Sequence, residues 1–247
     1  MIADMEPTDA AIARMIADEA GALLLDLRAR GGSGKALGDA GDHAANALIL
    51  GRLRALRPDD FVLSEEARDD SARCAARRVW IVDPLDGTRE YAGGRDDWAV
   101  HVGLAIDGVA VVGAVALPAM GRSYATDDAR AGRGAEGRPR MVLSRTRPPA
   151  IALAVAERLG ADMIAMGSAG AKAMAVVSGD ADIYLHDGGQ YEWDNCAPAA
   201  VAVAAGLHAS RIDGSPLVYN CRDPLLPDLL ICRAEFADAV LAAVREG

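Results

Sequence analysis

Three short segments place carboxylates at spacings that can do chemistry. The densest is Trp80-Ile-Val-Asp83-Pro-Leu-Asp86-Gly-Thr88. A β-branched run ends in Asp83, and Pro84 keeps Asp83 extended. Asp86-Gly87 then turns the chain and Thr88 can start a helix, so two acids at the mouth of a strand can face one small volume. The backbone N–H groups of Gly87 and Thr88 at that helix start suit an anion. The second segment is Ser64-Glu65-Glu66, directly after Phe-Val-Leu. Side chains alternate along a strand, so Glu65 or Glu66 could join Asp83 and Asp86. The third is Glu192-Trp193-Asp194 at the start of an Ala-rich helix, where Asp194 as an N-cap is a sufficient structural reading by itself. Singly, each segment is also explained by a turn, a loop or a cap.

Together they form a cluster of hard oxygen donors without histidine or cysteine, which favours magnesium or manganese over zinc. His43, His101, His186 and His208 are scattered and make no zinc motif. Cys74, Cys196, Cys221 and Cys232 form no C-x-x-C pair, as expected of reduced thiols in a cytoplasmic protein. The formal charge is −10, so the chain is a poor partner for nucleic acid or an anionic membrane. An anionic small molecule could bind such a cluster only after divalent ions invert its charge. Glu65, Asp83, Asp86 and Asp194 bring four negative charges, which about two divalent ions neutralise. That arrangement points to phosphoryl transfer to water.

The elements that must position these acids are legible from periodicity. Thr8 can cap a first helix with the stripe Ile12, Ile16, Leu23, Leu24 and Leu27, ended by Gly31, Gly32 and Gly34. A second helix is expected from about Asp42 to Leu56. Strands follow at Phe61–Ser64, Val79–Val82, Trp98–Ile106 and Val109–Leu117, the last two joined by Asp107-Gly108 as a hairpin. Residues Asp127–Pro139 read as a loop and a soft boundary. The second half alternates: strand Met141–Ser144, helix Ala150–Leu159, strand Met163–Met166, helix Ala169–Val177, strand Ile183–His186 and helix Asp194–Ala205. Two short strands and a helix from about Glu235 finish the chain. An α+β half thus precedes an α/β half. No apolar run is long enough for a membrane span.

The acidic segments, in this order and spacing, resemble the inositol monophosphatase superfamily of metal-dependent, lithium-sensitive phosphatases. The resemblance carried by Glu65-Glu66, Asp83-Pro-Leu-Asp86-Gly-Thr88 and Trp193-Asp194 extends along nearly the whole chain. Gly38-Asp-Ala-Gly-Asp42, Asp97-Trp-Ala-Val-His101, Gly167-Ser-Ala-Gly-Ala-Lys172 and Leu207–Pro216 resemble its branch acting on 3′-phosphoadenosine 5′-phosphate in sulfate assimilation. The resemblance implies a layered αβαβα sugar-phosphatase-like fold of two lobes, about 1–140 and 141–247. It implies two or three Mg2+ ions, with Mn2+ able to substitute, and a small-molecule phosphate as substrate. The first ion would lie on Glu65, Asp83 and the Leu85 carbonyl. The second would lie on Asp83, Asp86 and Asp194, and a third on Glu65. Glu65, Asp42 and Thr88 form the implied catalytic set, with Thr88 and Asp42 orienting the attacking water. Leu85, Asp86, Gly87, Thr88 and Asp194 would border the substrate phosphate, and a homodimer is the implied assembly. In place of the family's usual threonine three residues before Asp42, this chain has Asp39.

Lys172 stands out because only it and Lys35 are lysines among 26 basic residues. After Gly167 and Ser168 at a helix start, it is expected to meet a second substrate phosphate as a point charge. Ser144-Arg145 resembles the nucleotide-selective branch. Trp98, Trp193 and Tyr191 are candidate adenine neighbours, with core packing the commoner fate. Gly31-Gly-Ser-Gly-Lys35 fails as a phosphate loop, because Ala36 replaces the required Ser or Thr. The competing activities are inositol-1-phosphatase and fructose-1,6-bisphosphatase with the same chemistry. A non-catalytic metal-binding subunit is a further alternative, and a nucleotide-dependent oxidoreductase lacks its glycine motif.

Overall fold

In the computed structural model, which describes residues 7–134 and 136–246, the chain builds two five-stranded sheets. The first has the order β1-β2-β3-β4-β5, from β1 (Phe61–Ser64), β2 (Arg78–Asp86), β3 (Ala99–Ile106), β4 (Val109–Leu117) and β5 (Arg122–Ala125). Only β1 and β2 pair in parallel; the rest is antiparallel. The second has the order β7-β6-β8-β10-β9, from β6 (Arg140–Ser144), β7 (Asp162–Met166), β8 (Ile183–Tyr191), β9 (His208–Ser210) and β10 (Leu225–Cys232). It is parallel across β7-β6-β8 and antiparallel from β8 to β9.

Helices fill the spaces around the sheets. Helices α1 (Asp9–Ala29) and α2 (Gly34–Leu56) cover the outer face of the first sheet. Their apolar stripes bury Ile12, Ile16, Leu24, Ile49 and Leu53 against Trp80, Val82 and Val102. Helices α5 (Ala169–Ser178) and α6 (Glu192–Ala204) lie between the sheets, where Met174, Val176 and Val201 meet Val115, Tyr184 and Ile231. Helices α4 (Ala150–Leu159) and α7 (Ala237–Glu246) close the far face of the second sheet. The result is the expected αβαβα layering, with a short α3 (Thr88–Ala92) beside the end of β2.

Packing decides where the periodicity reading fell short. Helix α2 starts at Gly34, eight residues before the expected Asp42. Gly38 and Gly41 both sit inside the helix as contact points. A Cβ on Gly41 would stand 3.1 Å from Leu24, Leu85 and Tyr91 side-chain carbons. Asp42 therefore lies in the third turn and caps nothing. Lys35 is also helical and pairs with Asp39 at 2.6 Å. Asp194 is the third residue of α6 and not its N-cap; its carboxylate accepts from the Tyr191 amide at 2.7 Å. Strand β5 carried no clear alternation and was not expected.

Helix α6 approaches β4 closely enough to require a glycine. A Cβ on Gly113 would collide with the Ala197 carbonyl and stand 2.9 Å from its Cα, both backbone atoms that cannot swing away. Gly113→Ala should cost roughly 1–3 kcal/mol of stability, read from urea unfolding midpoints; an unchanged midpoint would show that α6 can shift freely.

Candidate active site

The site lies where the end of β2 meets the starts of α3, α5 and α6. Strand β2 pairs regularly with β3 up to Asp83 opposite His101, then breaks register and resumes at Asp86 opposite Ala99. Pro84 has no N–H to give the ladder, so the irregularity falls where the backbone already lacks a donor. This bulge lets Asp83 and Asp86 both turn toward Asp194 of α6. Carboxylate oxygens of these three residues lie within 4.8 Å of one another.

Gly87 follows with φ of 88°, a left-handed conformation that favours glycine, and leads into α3. A Cβ there would stand 3.2 Å from Ser168 and 3.3 Å from Trp98. Thr88 Oγ1 donates to the Leu85 carbonyl at 3.1 Å and lies 3.5 Å from Asp42 Oδ1. Asp42 and Thr88 thus meet across α2 and α3, as expected. The close approach rests on Gly38, where a Cβ would stand 2.8 Å from the Thr88 methyl.

Glu65 lies outside the tight trio. As a whole residue it is exposed, but its carboxyl contacts Asp83 and it lines the same cavity. Glu66 is exposed and does not line that cavity.

The electrostatics are those of crowded, buried acids. Burial raises Asp83 well above the usual carboxylate range, reinforced by the Glu65, Asp86 and Asp194 charges. Burial also pushes Asp194 up to about 7, with Asp86 adding to it and the Tyr191 amide opposing. Glu65 reaches about 7 through desolvation of its carboxyl, then the Asp86 and Asp42 charges, against its contact with Asp83. Asp42 reaches about 7 through burial and Glu66, against the Thr88 hydroxyl. Asp86 is the exception. Burial would raise it, but His101, Lys172 and Ser168 outweigh burial and hold it below the usual range.

Asp86 is held from the second sheet's side. Its Oδ2 accepts from the Ser168 hydroxyl and, at 2.6 Å, from the Gly170 amide at the start of α5. Lys172, only 6 % exposed, donates to the Gly167 and Ser168 carbonyls and lies 5.3 Å from the centre of the Tyr184 ring. Two of its three hydrogens therefore clamp the turn that grips Asp86. Arg145 pairs with Asp97 and, at 3.3 Å, with Glu90, while Asp97 accepts from the Gly167 amide at 2.7 Å.

A cavity of about 400 Å³ opens over these groups. Glu65, Asp86, Glu90 and Asp194 line it with negative charge, and Arg89, Arg145, Arg147 and Lys172 with positive charge. Among the described residues, Arg89 and Arg147 have no carboxylate within 4.0 Å. Trp98 is fully buried and stacks edge-on against Tyr91, so it is core and not an adenine platform. Tyr191 and Trp193 stack on each other at 4.7 Å and do not line the cavity. Arg147 carries no motif in the sequence, and Asp97 and His101 stand there only inside a segment that resembles the family, with no role of their own. The last lies opposite Asp83 in the ladder, a placement that strand pairing alone reveals.

The sequence profile of the inositol monophosphatase family matches residues 4–246. A Mycobacterium leprae protein named 3′-phosphoadenosine 5′-phosphate phosphatase is 55% identical, over 98% of this chain and 95% of its own length. The 3′(2′),5′-bisphosphate nucleotidase CysQ of Escherichia coli is 32% identical, over 76% of this chain and 81% of its own. The crystal structure of CysQ from Bacteroides thetaiotaomicron superposes with a TM-score of 0.78 at 25% identity, covering 91% of this chain and 97% of that one. An inositol monophosphatase from Zymomonas mobilis gives 0.78 at 20% identity, over 96% and 97%, which establishes a shared fold. The chain belongs to the inositol monophosphatase family.

The raised carboxyls fix a pH dependence. Glu65, Asp42 and Asp194 bind protons more tightly folded than unfolded, so the stability they contribute is full below their unfolded values near pH 4 and is lost as pH rises through about 7. Asp86 has the opposite sign but titrates below this window. In chelator, the melting temperature should fall between about pH 5 and about pH 8, and millimolar Mg2+ should restore it at the upper end. A melting temperature that climbs with pH in chelator would contradict this electrostatic picture.

Proposed function

We propose that this member of the inositol monophosphatase family is a magnesium-dependent phosphatase acting on 3′-phosphoadenosine 5′-phosphate. Water would release the 3′-phosphate, giving AMP and inorganic phosphate. One observation carries the reading: a single cavity is lined both by the clustered carboxylates Asp86 and Asp194 and by Arg89 and Arg147, which have no carboxylate partner among the described residues. Such a site suits a small molecule with two phosphates, one hydrolysed and one held. The 55% identity to a protein named for this activity supports the same substrate.

The donor set fits a hard divalent ion. Asp83, Asp86 and Asp194 offer carboxylate oxygens alone, and their mutual crowding is relieved by a cation. Glu65, Asp83 and the Leu85 carbonyl would hold one ion, Asp83, Asp86 and Asp194 a second, and Glu65 a third. The Leu85 carbonyl keeps a lone pair beyond the one used by Thr88. Bound magnesium, or manganese in its place, would supply Lewis acidity toward the phosphoryl oxygens and water.

The protein's own groups divide the remaining work. Thr88 Oγ1 shares its one hydrogen between the Leu85 carbonyl and Asp42 and has lone pairs free to accept one hydrogen of the attacking water. Asp42 Oδ1, beside it, is poised near neutral pH to take the other proton. The Gly87 and Thr88 amides face the transferring phosphate. Gly167 and Ser168 border the non-scissile half, with Lys172 fixing their turn. Arg147, free of a carboxylate partner, would hold the second phosphate. The same reading includes lithium sensitivity and a cytoplasmic setting in sulfate assimilation.

Values of kcat/KM on 3′-phosphoadenosine 5′-phosphate, inositol 1-phosphate and fructose 1,6-bisphosphate test the substrate directly. The nucleotide should lead; preference for either sugar phosphate overturns the assignment. Asp86→Asn and Asp194→Asn should each lower kcat/KM at least about a hundredfold with the circular dichroism spectrum intact. Arg147→Ala should raise KM for the nucleotide about tenfold, the worth of a charge-assisted contact, and leave inositol 1-phosphate turnover nearly unchanged. Equal effects on both substrates would remove Arg147 from the second-phosphate role.

A further inference from the structure

His101 has no part in the reading above, yet its ring lies between two of the candidate cation ligands. It is fully buried on β3. Its Nδ1 is 3.0 Å from the carbonyl oxygen of Trp193, the residue directly before Asp194. Its Nε2 is 3.3 Å from Asp86 Oδ2. Both neighbours are acceptors, which suits a ring with hydrogen on both nitrogens; Nδ1 has hydrogen-bonding geometry, while Nε2 meets Asp86 Oδ2 as a close charge contact. The surroundings are shaped to this ring. A Cβ on Gly170 would overlap His101 Nε2 and stand 3.0 Å from the Ala99 Cβ. The same Gly170 gives its amide to Asp86 Oδ2. Three groups from two elements, namely Ser168 and Gly170 at the start of α5 and His101 of β3, therefore converge on one oxygen of Asp86. Among the described residues none donates to the other oxygen, Oδ1.

We propose that His101 is a positioning residue for the cation site, tying Asp86 at the end of β2 to the start of α6 and so fixing the separation of Asp86 Oδ1 from Asp194. It does for these carboxylates what a partner behind a ligand does generally: it leaves one lone-pair face for the ion and removes the freedom to rotate away. The proposal rests on the reading that these acids hold divalent cations.

Deleting the ring has two effects of opposite sign. Loss of the tie loosens the ligands and weakens cation binding. Loss of a buried positive charge makes the site more negative and strengthens it. The sign of the change therefore separates positioning from bulk electrostatics. The test titrates Mn2+ into chelator-treated full-length protein and reads free Mn2+ by electron paramagnetic resonance, with no substrate present. Wild type, His101→Ala, His101→Gln and Gly170→Ala are compared, each checked by circular dichroism. His101→Ala should bind Mn2+ about ten- to a hundredfold more weakly, the span seen when a group behind a ligand is removed. His101→Gln, whose amide can reach Asp86 without carrying charge, should recover part of that loss. Gly170→Ala, which displaces the ring, should lose affinity with His101 still present. If His101→Ala does not fold, the comparison of His101→Gln and Gly170→Ala with wild type decides by the same rule. Equal or tighter Mn2+ binding in His101→Ala or Gly170→Ala overturns the role of His101. Failure of wild type to bind Mn2+ overturns the cation reading, and this inference with it.

Discussion

The structure is organised around a repulsion. Asp83, Asp86 and Asp194 come from two separate elements, and their oxygens converge in a place with little water. Two unit charges at such a distance repel by roughly 3–4 kcal/mol at an effective dielectric constant near 20. No local preference brings them together; the surrounding fold does. Strand β2 is buried along Val79–Asp86, and α6 is buried along Asn195–Ala202, so neither can retreat to relieve the strain of like charges. The carboxyls respond by holding protons to unusually high pH, except for Asp86, which has its own set of donors. A rigid frame around mutually repelling acids is a receptor for hard cations.

The second sheet contributes support more than ligands. Its main gift to the acid cluster, apart from α6, is the Gly167–Ser168 turn and the first amides of α5. Ser168 has φ of 20°, an uncommon value for a residue with a side chain, and its hydroxyl both meets Asp86 and accepts from the Ala171 amide at 3.0 Å. Lys172 from inside and Asp97 from the loop before β3 pin the same turn. Beside the apolar packing of α5 and α6, one polar contact between the two halves thus runs through Asp86, so ligand geometry depends in part on how α5 is seated.

Much of the architecture was legible because the apolar spacing was regular. Helix α4 and strands β1 and β4 have the bounds that their periodicity predicts, and the αβαβα layering follows from the resemblance. The acids were legible because Pro84 and Gly87 punctuate them with known backbone preferences. What stayed hidden depended on partners distant in sequence. Gly38 and Gly41 show their role as helix contacts only when Thr88, Leu85 and Tyr91 are in place. The rarity of lysine singled out Lys172, but composition does not reveal that its hydrogens serve its own backbone turn. His101 looked like one of four scattered histidines; only the register of β3 against β2 sets it beside the acids.

The central claim is that the acids at the end of β2 and the start of α6 are built to receive divalent cations. A crystal soaked in Mn2+ and measured at the manganese absorption edge tests it most directly. The account predicts anomalous peaks within coordination distance of Asp83, Asp86 and Asp194, one of them shared with Glu65 or the Leu85 carbonyl. A map with no peak there, or with manganese only on surface acids, would contradict it.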